Sequence, residues 1–263
     1  MTTPAVAGPR RTPLADPLFE FVLRLGDDRL VLGHRVSEWC GHGPILEEDI
    51  ALSNIALDLI GQASALLSLA GTIEGRGRDE DALSYFRDEH EFRNAQLVEL
   101  PKGDFAFTIA RQFLFDAGSV LVWDSLQSCG HAQLAALAAK SLKEDKYHLR
   151  HSSEWLLRLG DGTAESHDRA QRAMDGLWRY TGELFEADEV DEGVRAGGIV
   201  VDRAAIRSRW LDMVNDVIGR ATLTLPAGGE MATGGRIGRH TEFLGHMLAE
   251  MQIVARSHPG ASW

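Results

Sequence analysis

Asp145 and His148 stand three residues apart in the charged run KEDKYHLRH (143–151), a spacing that brings both side chains to one face of a helix. A carboxylate-x-x-His unit is the building block of four-helix di-iron and di-manganese centres, where it occurs twice and is joined by carboxylates from two other helices. Steps of four and three run through Leu134, Ala138, Ser141, Asp145, His148, Ser152, Trp155 and Leu159, which sets the pair on an inward-facing row. The same count through Phe105, Ile109, Gln112, Asp116, Val120 and Trp123 adds Asp116 from the preceding segment. The set then runs out. Of ten histidines only His148 has an acid three positions before it, and in NIALDLIGQA (54–63) the third residue after Asp58 is Gly61, which has no ligand atom.

The spacing therefore predicts no metal site and no catalytic residue, but a vestigial buried polar cluster of Asp58, Asp116, Asp145 and His148, with Arg111 as a further partner. Buried charges need such partners. Two alternatives stay open, the second drawing its ligand from the family resemblance given below. One is a metal-dependent oxidase with an asymmetric site at Asp116, Asp145 and His148. The other is a free-standing acyl-CoA binding bundle. DEHEFRN (88–94) mixes acid, aromatic, arginine and amide, and reads either as a solvated helix face or as a grip on a polar ligand. GDDR (26–29) and GDGT (160–163) read as turns, and no phosphate-cradling or dinucleotide glycine motif is present.

The elements that must position these residues are helical. Apolar residues recur at steps of three and four over 18–39, from about 45 to 74, over 79–99, 105–128 and 131–159, and again over about 163–186, 203–223 and 239–256. No segment alternates with a period of two, so the expected fold is all-α. Residues 1–16 read as a Pro-rich tail, and 17–263 as one domain with four long helices at its core. The formal net charge of −12 argues against nucleic acid or an anionic membrane as partner. No uninterrupted apolar run reaches membrane-spanning length. Two cysteines without CxxC spacing, Cys40 and Cys129, suggest small core residues in a reducing cytosol.

Long stretches resemble the C subunits of bacterial 1,2-phenylacetyl-CoA epoxidases. They are LRLGDDRLVLGHRVSEWCGHGPILEEDIALSNIALDLIGQA (23–63), RDEHEFRNAQLVELPKGDFAFTIARQF (87–113), AAKSLKEDKYHLRHSSEWLLRLGDGT (138–163), LWRYTGELFEADEVD (177–191) and HTEFLGHMLAEMQ (240–252). The resemblance implies a ferritin-like helical bundle with additional C-terminal helices, acting in phenylacetate catabolism. It also implies a division of labour. A catalytic A subunit holds the di-iron centre, a B subunit bridges larger assemblies, and a separate reductase passes electrons from NADPH. The C subunit is the structural member. On this resemblance the chain binds no cofactor itself and contacts phenylacetyl-CoA through Glu91, Phe92, Arg93 and Asn94 and through Glu192, Gly193 and Val194; exposed aromatic and aliphatic residues of its first two helices are the candidates for the face that meets the A subunit.

Overall fold

The computed structural model describes residues 16–261. The first helix, α1 (Pro17–Ser37), begins where Asp16 accepts a hydrogen bond from the Leu18 amide at 2.9 Å and proline fills the first turn. The second, α2 (Leu46–Glu74), stops at Gly75, whose positive φ closes the last turn. Asp104 caps α5 (Phe105–Leu126) at the Phe107 amide, and the His131 ring accepts from Leu134 to start α6 (Ala132–Gly160). These four form the bundle, α1 packed along α2 and α5 along α6. Gly26 and Gly33, two turns apart on α1, admit Leu67 and Ile60 of α2 to within the space a Cβ would occupy.

Shorter helices complete the chain: α3 (Glu80–Tyr85), α4 (Gln96–Glu99), α7 (Ala164–Leu177), α8 (Glu189–Arg195), α9 (Arg203–Arg220) and α10 (Glu242–Ser257). Among the described residues there is no strand, so the all-α expectation holds. Helices α7 and α9 cover α5, and α10 lies over α3.

Several expectations change. The 79–99 stretch is not one helix. Asp88 and Glu91 cap each other in a single turn, and Phe92 follows in extended backbone with its ring buried. The 163–186 stretch leaves α-geometry after Leu177 for two short 3₁₀ turns. Between the expected helical stretches of about 163–186 and 203–223 lies α8, started by Asp188 capping Val190 and Asp191. GDDR lies inside α1 and is buried there, whereas GDGT is the turn between α6 and α7. Cys40 is exposed on the turn after α1 and Cys129 is half-buried; both are free. Apart from Asp16, the N-terminal tail lies outside the described residues. By length and hydropathy α2 and α5 do reach what a membrane span requires, because each holds a stretch of 18 residues with no more than two charges. Helix α5 is enclosed on all sides by the protein, as a core helix is; α2 is buried along one side only.

Candidate functional site

The inward rows of α5 and α6 meet as their spacing implies. Ile109, Gln112, Asp116 and Trp123 from α5 and Ser141, Asp145, His148 and Ser152 from α6 are all buried. At the centre Asp145 is saturated with donors. Its Oδ2 accepts from Ser119 at 2.5 Å and Trp123 at 2.9 Å, and its Oδ1 accepts from the Gln62 amide at 2.9 Å. The charge partner is Arg29 of α1, with Nη2 at 4.0 Å. Arg29 also donates to Gln62 Oε1 at 3.1 Å, to Ser119 at 2.6 Å and to the Leu25 carbonyl, and its guanidinium lies 4.1 Å from the Trp123 ring centroid.

Asp116 lies one layer away. Gln112 donates to it at 2.7 Å and Ser152 at 3.1 Å. Burial, and then repulsion from Asp145, hold its carboxyl well above the usual carboxylate range against those two hydrogen bonds. His148 turns Nε2 to Asp58 of α2 at 3.1 Å, and its Nδ1, 3.7 Å from Asp145, has no hydrogen-bond partner.

Two members of the expected cluster are placed differently. Asp58 is not buried: its side chain is 41% exposed, at the α2 edge beside the exposed Leu57 and Gly61. Arg111 is fully buried but joins neither Asp116 nor Asp145. It donates to the carbonyls of Leu100 and Pro101 and leaves Nε and Nη2 unpartnered. Burial, with Arg35 nearby, pulls it down to about 9. The position expected for Arg111 belongs to Arg29, and Gln62 is the bridge of the cluster. A signal for Arg29 was present, since it falls four after Leu25 and three before Leu32 on the apolar row of α1.

This donor set does not fit a carboxylate-bridged metal pair. Such a pair needs about four carboxylates and two histidines converging from four helices. Here α1 offers a guanidinium and α2 an amide, both bonded to the groups a metal would claim. Among the described residues no three His, Cys, Asp or Glu side chains are grouped so as to hold a metal ion.

The two segments expected to touch acyl-CoA flank the N-terminal half of α1 and are joined across it. Arg93 pairs with Glu20 at 3.1 Å, Glu20 with Arg24 at 3.4 Å, and Arg24 with Asp188 at 2.8 Å. Within them Phe92 is buried under Arg87, Asn94 donates to the buried Glu99 at 2.8 Å, and Val194 is buried. That leaves Glu91 and Arg93 partly exposed, and Glu192 and Gly193 exposed.

No spacing in the sequence marks the ion pairs that tie the rest of the chain to α1. Asp27 receives Arg87 through both terminal nitrogens, and Asp28 receives Arg236 at 2.8 and 2.9 Å. Behind them Glu99 and His240 meet at 2.8 Å. The other ring nitrogen of His240 faces the Phe92 carbonyl at 3.1 Å, so both nitrogens face acceptors. Burial lowers the proton affinity of this ring, but the hydrogen bond and charge of Glu99, with the carbonyl, outweigh it and raise the imidazole above its ordinary value.

Compared with known proteins, the chain is 50% identical over 246 residues to the C subunit of the 1,2-phenylacetyl-CoA epoxidase of Escherichia coli (strain K12), an alignment covering 94% of this chain and 99% of that protein. A family model described as phenylacetic acid catabolic protein matches residues 9–263. With nearly the whole chain covered by both, it belongs to the phenylacetic acid catabolic protein family.

Proposed function

We propose that the chain is a non-catalytic supporting subunit of a phenylacetyl-CoA epoxidase. One observation carries this reading: the bundle centre, where a catalytic relative would gather carboxylates and histidines, is closed by Arg29 and Gln62 bonded to Asp145 and its neighbours. A buried guanidinium repels a divalent cation, and Asp145 is already engaged by Gln62, Ser119 and Trp123. The relative's name, that of an epoxidase component, supports work in an assembly. In that assembly a catalytic A subunit holds the di-iron centre, a B subunit bridges, and a reductase supplies electrons from NADPH. This chain holds no cofactor and is soluble in the cytosol. Its role is mechanical: packing against the A subunit fixes the helices that bear the metal ligands, whose geometry tolerates little slack.

Elemental analysis tests this on the full chain purified alone and again after co-expression with the A subunit. Iron only in the co-purified complex, with activity lost when this chain is omitted, is the expected result. One or two equivalents of iron in the isolated chain, or full activity of the A subunit without it, would overturn the reading. Acyl-CoA contact, if the assembly uses this chain for it, falls to the surface groups Glu91, Arg93, Glu192 and Gly193. Equilibrium dialysis of the complex with phenylacetyl-CoA checks it: unchanged affinity in Arg93→Ala would remove that role.

A further inference from the structure

A cavity of about 40 Å³ shares Arg29 and Ser119 with the bundle centre. Helix α1 also lends it Arg24 and Asp28, α9 lends Arg203, and the loop before α10 lends Arg236. Phe21, Phe115, Leu184 and Phe185 form its apolar walls. Size narrows what it can hold. One water needs about 10–15 Å³ of such space, and a benzene-sized guest on the order of 150 Å³. The cavity takes a few waters or one small ion, not an aryl group. None of the residues expected at acyl-CoA lines it.

In this lining four guanidiniums stand against one carboxylate, Asp28, which takes Arg236 at 2.8 and 2.9 Å. The remaining carboxylate partners lie outside the lining: Asp188 pairs with Arg24 at 2.8 Å, Asp191 with Arg203 at 3.0 Å and Asp145 with Arg29 at 4.0 Å. A guanidinium carries five N–H donors, and Arg29 commits one each to Gln62, Ser119 and the Leu25 carbonyl. The cations also act on one another. Burial, against the pull of Asp145 and Asp191, holds Arg29 and Arg203 below the usual guanidinium range, and the charge of Arg236 adds repulsion at both. Guanidiniums gathered within apolar walls, with a single carboxylate among them, favour a negative charge between them, and the low dielectric strengthens that preference.

We propose that this cavity binds a small monovalent anion, of the size of chloride or formate, among Arg24, Arg29, Arg203 and Arg236. The anion is a structural counter-ion. It ties α1 to the start of α9 and to the loop before α10, segments far apart in sequence that meet only in the folded chain. The four arginines come together only on folding, so the anion stabilises the folded state by mass action. Larger anions of the same charge, such as benzoate or gluconate, have no room.

The test is thermal melting of the full chain at constant ionic strength, with chloride replacing gluconate. The melting temperature should rise along a saturating curve, by about 3–6 °C at a tenfold excess over Kd. Formate should reproduce the rise and benzoate should not. Gly118→Ala separates the site from the fold. Gly118 lines the cavity, and the added methyl would meet Trp210 and Phe185 at 3.8 and 3.9 Å, ordinary contacts, so it fits while taking up space. In gluconate this variant should melt at or above wild type, since alanine is the better helix former, and its chloride response should disappear. Arg203→Gln should weaken chloride binding about tenfold or more. Crystals of the chain soaked in bromide give a direct readout, an anomalous peak inside the cavity. A rise linear in chloride, equal with benzoate or retained in Gly118→Ala is a general salt effect and overturns the site. So does bromide absent from the cavity, or bromide present there while chloride leaves melting unchanged, which would make it an adventitious ion only. The supporting role stands or falls separately, on the iron analysis.

Discussion

Replacing Asp145 with alanine removes the acceptor on which the bundle centre converges. Three donors lose their partner at once: Gln62 at 2.9 Å, Ser119 at 2.5 Å and Trp123 at 2.9 Å. Arg29, fully buried, loses its counter-charge at 4.0 Å. A buried donor left unsatisfied costs about 1–3 kcal/mol, and breaking a buried ion pair by removing one member costs about 3–5 kcal/mol. The two estimates describe the same environment and do not add, so Asp145→Ala should destabilise by about 3–5 kcal/mol. Equilibrium urea unfolding reads this as a lower midpoint at unchanged slope, with tryptophan emission reporting locally through Trp123. A cycle with Arg29→Met sharpens the test. In the double variant the stranded charge is gone, so its cost should fall below the sum of the two single costs by about 1–3 kcal/mol. A single-variant loss under about 0.5 kcal/mol, the range of surface sites, or strict additivity would refute the network described for this site.

Three further predictions use neighbouring groups. Asp116→Asn should change stability at neutral pH by no more than about 1 kcal/mol, since the Gln112 amide can rotate to offer its unpartnered Oε1; denaturation showing a loss above about 2 kcal/mol would contradict this. Because the Asp116 pKa is raised on folding, the stability tied to its protonated form is present at low pH and lost as pH rises through the folded value, and the variant should lack that decline. His240 is also raised on folding, so its contribution is full below the ordinary imidazole value of 6.5 and falls as pH rises through the folded value. Melting temperature against pH should flatten in His240→Asn, and a curve parallel to wild type would count against the Glu99 pairing. Arg111→Met should cost no more than about 1 kcal/mol, because replacing a buried charge that lacks a carboxylate with an apolar side chain is near neutral; urea unfolding showing a loss of 3 kcal/mol or more would mean its carbonyl contacts had been undervalued.

The long helices were legible because burial of one side imposes a period that sequence records directly. Leu134 through Ser152 needed only counting. The polar interior was harder, for two reasons. Which buried charge meets which is a matter of tertiary distance: Arg111 and Arg29 both lie on apolar rows, and only the meeting of α1, α5 and α6 around Ser119 brings Arg29 to Asp145. The second reason is that strong local signals mislead when tertiary contacts override them. Gly-Asp-Asp reads as a turn by composition, yet Asp27 and Asp28 are held inside α1 by Arg87 and Arg236. DEHEFRN reads as a helix face, yet burying the Phe92 ring and the Asn94 amide requires extended backbone there. Asp58 differs from expectation because it lies at the edge of the buried row of α2, between inward Leu59 and outward Leu57 and Gly61.

The Asp28–Arg236 pair spans 208 residues of sequence, and during synthesis that distance is time. At about 5–20 residues per second the ribosome takes roughly 10–40 s to deliver Arg236 after Asp28 has emerged. Throughout that interval α1 bears a carboxylate without its counter-charge, and Arg35 waits equally long for the Phe243 carbonyl. The first helix thus cannot be sealed into the bundle by its neighbours in sequence alone. A chain stopped short of 236 is left with an open, charged α1, a form that a protease can recognise as unfinished and that an assembling complex has no finished surface to receive.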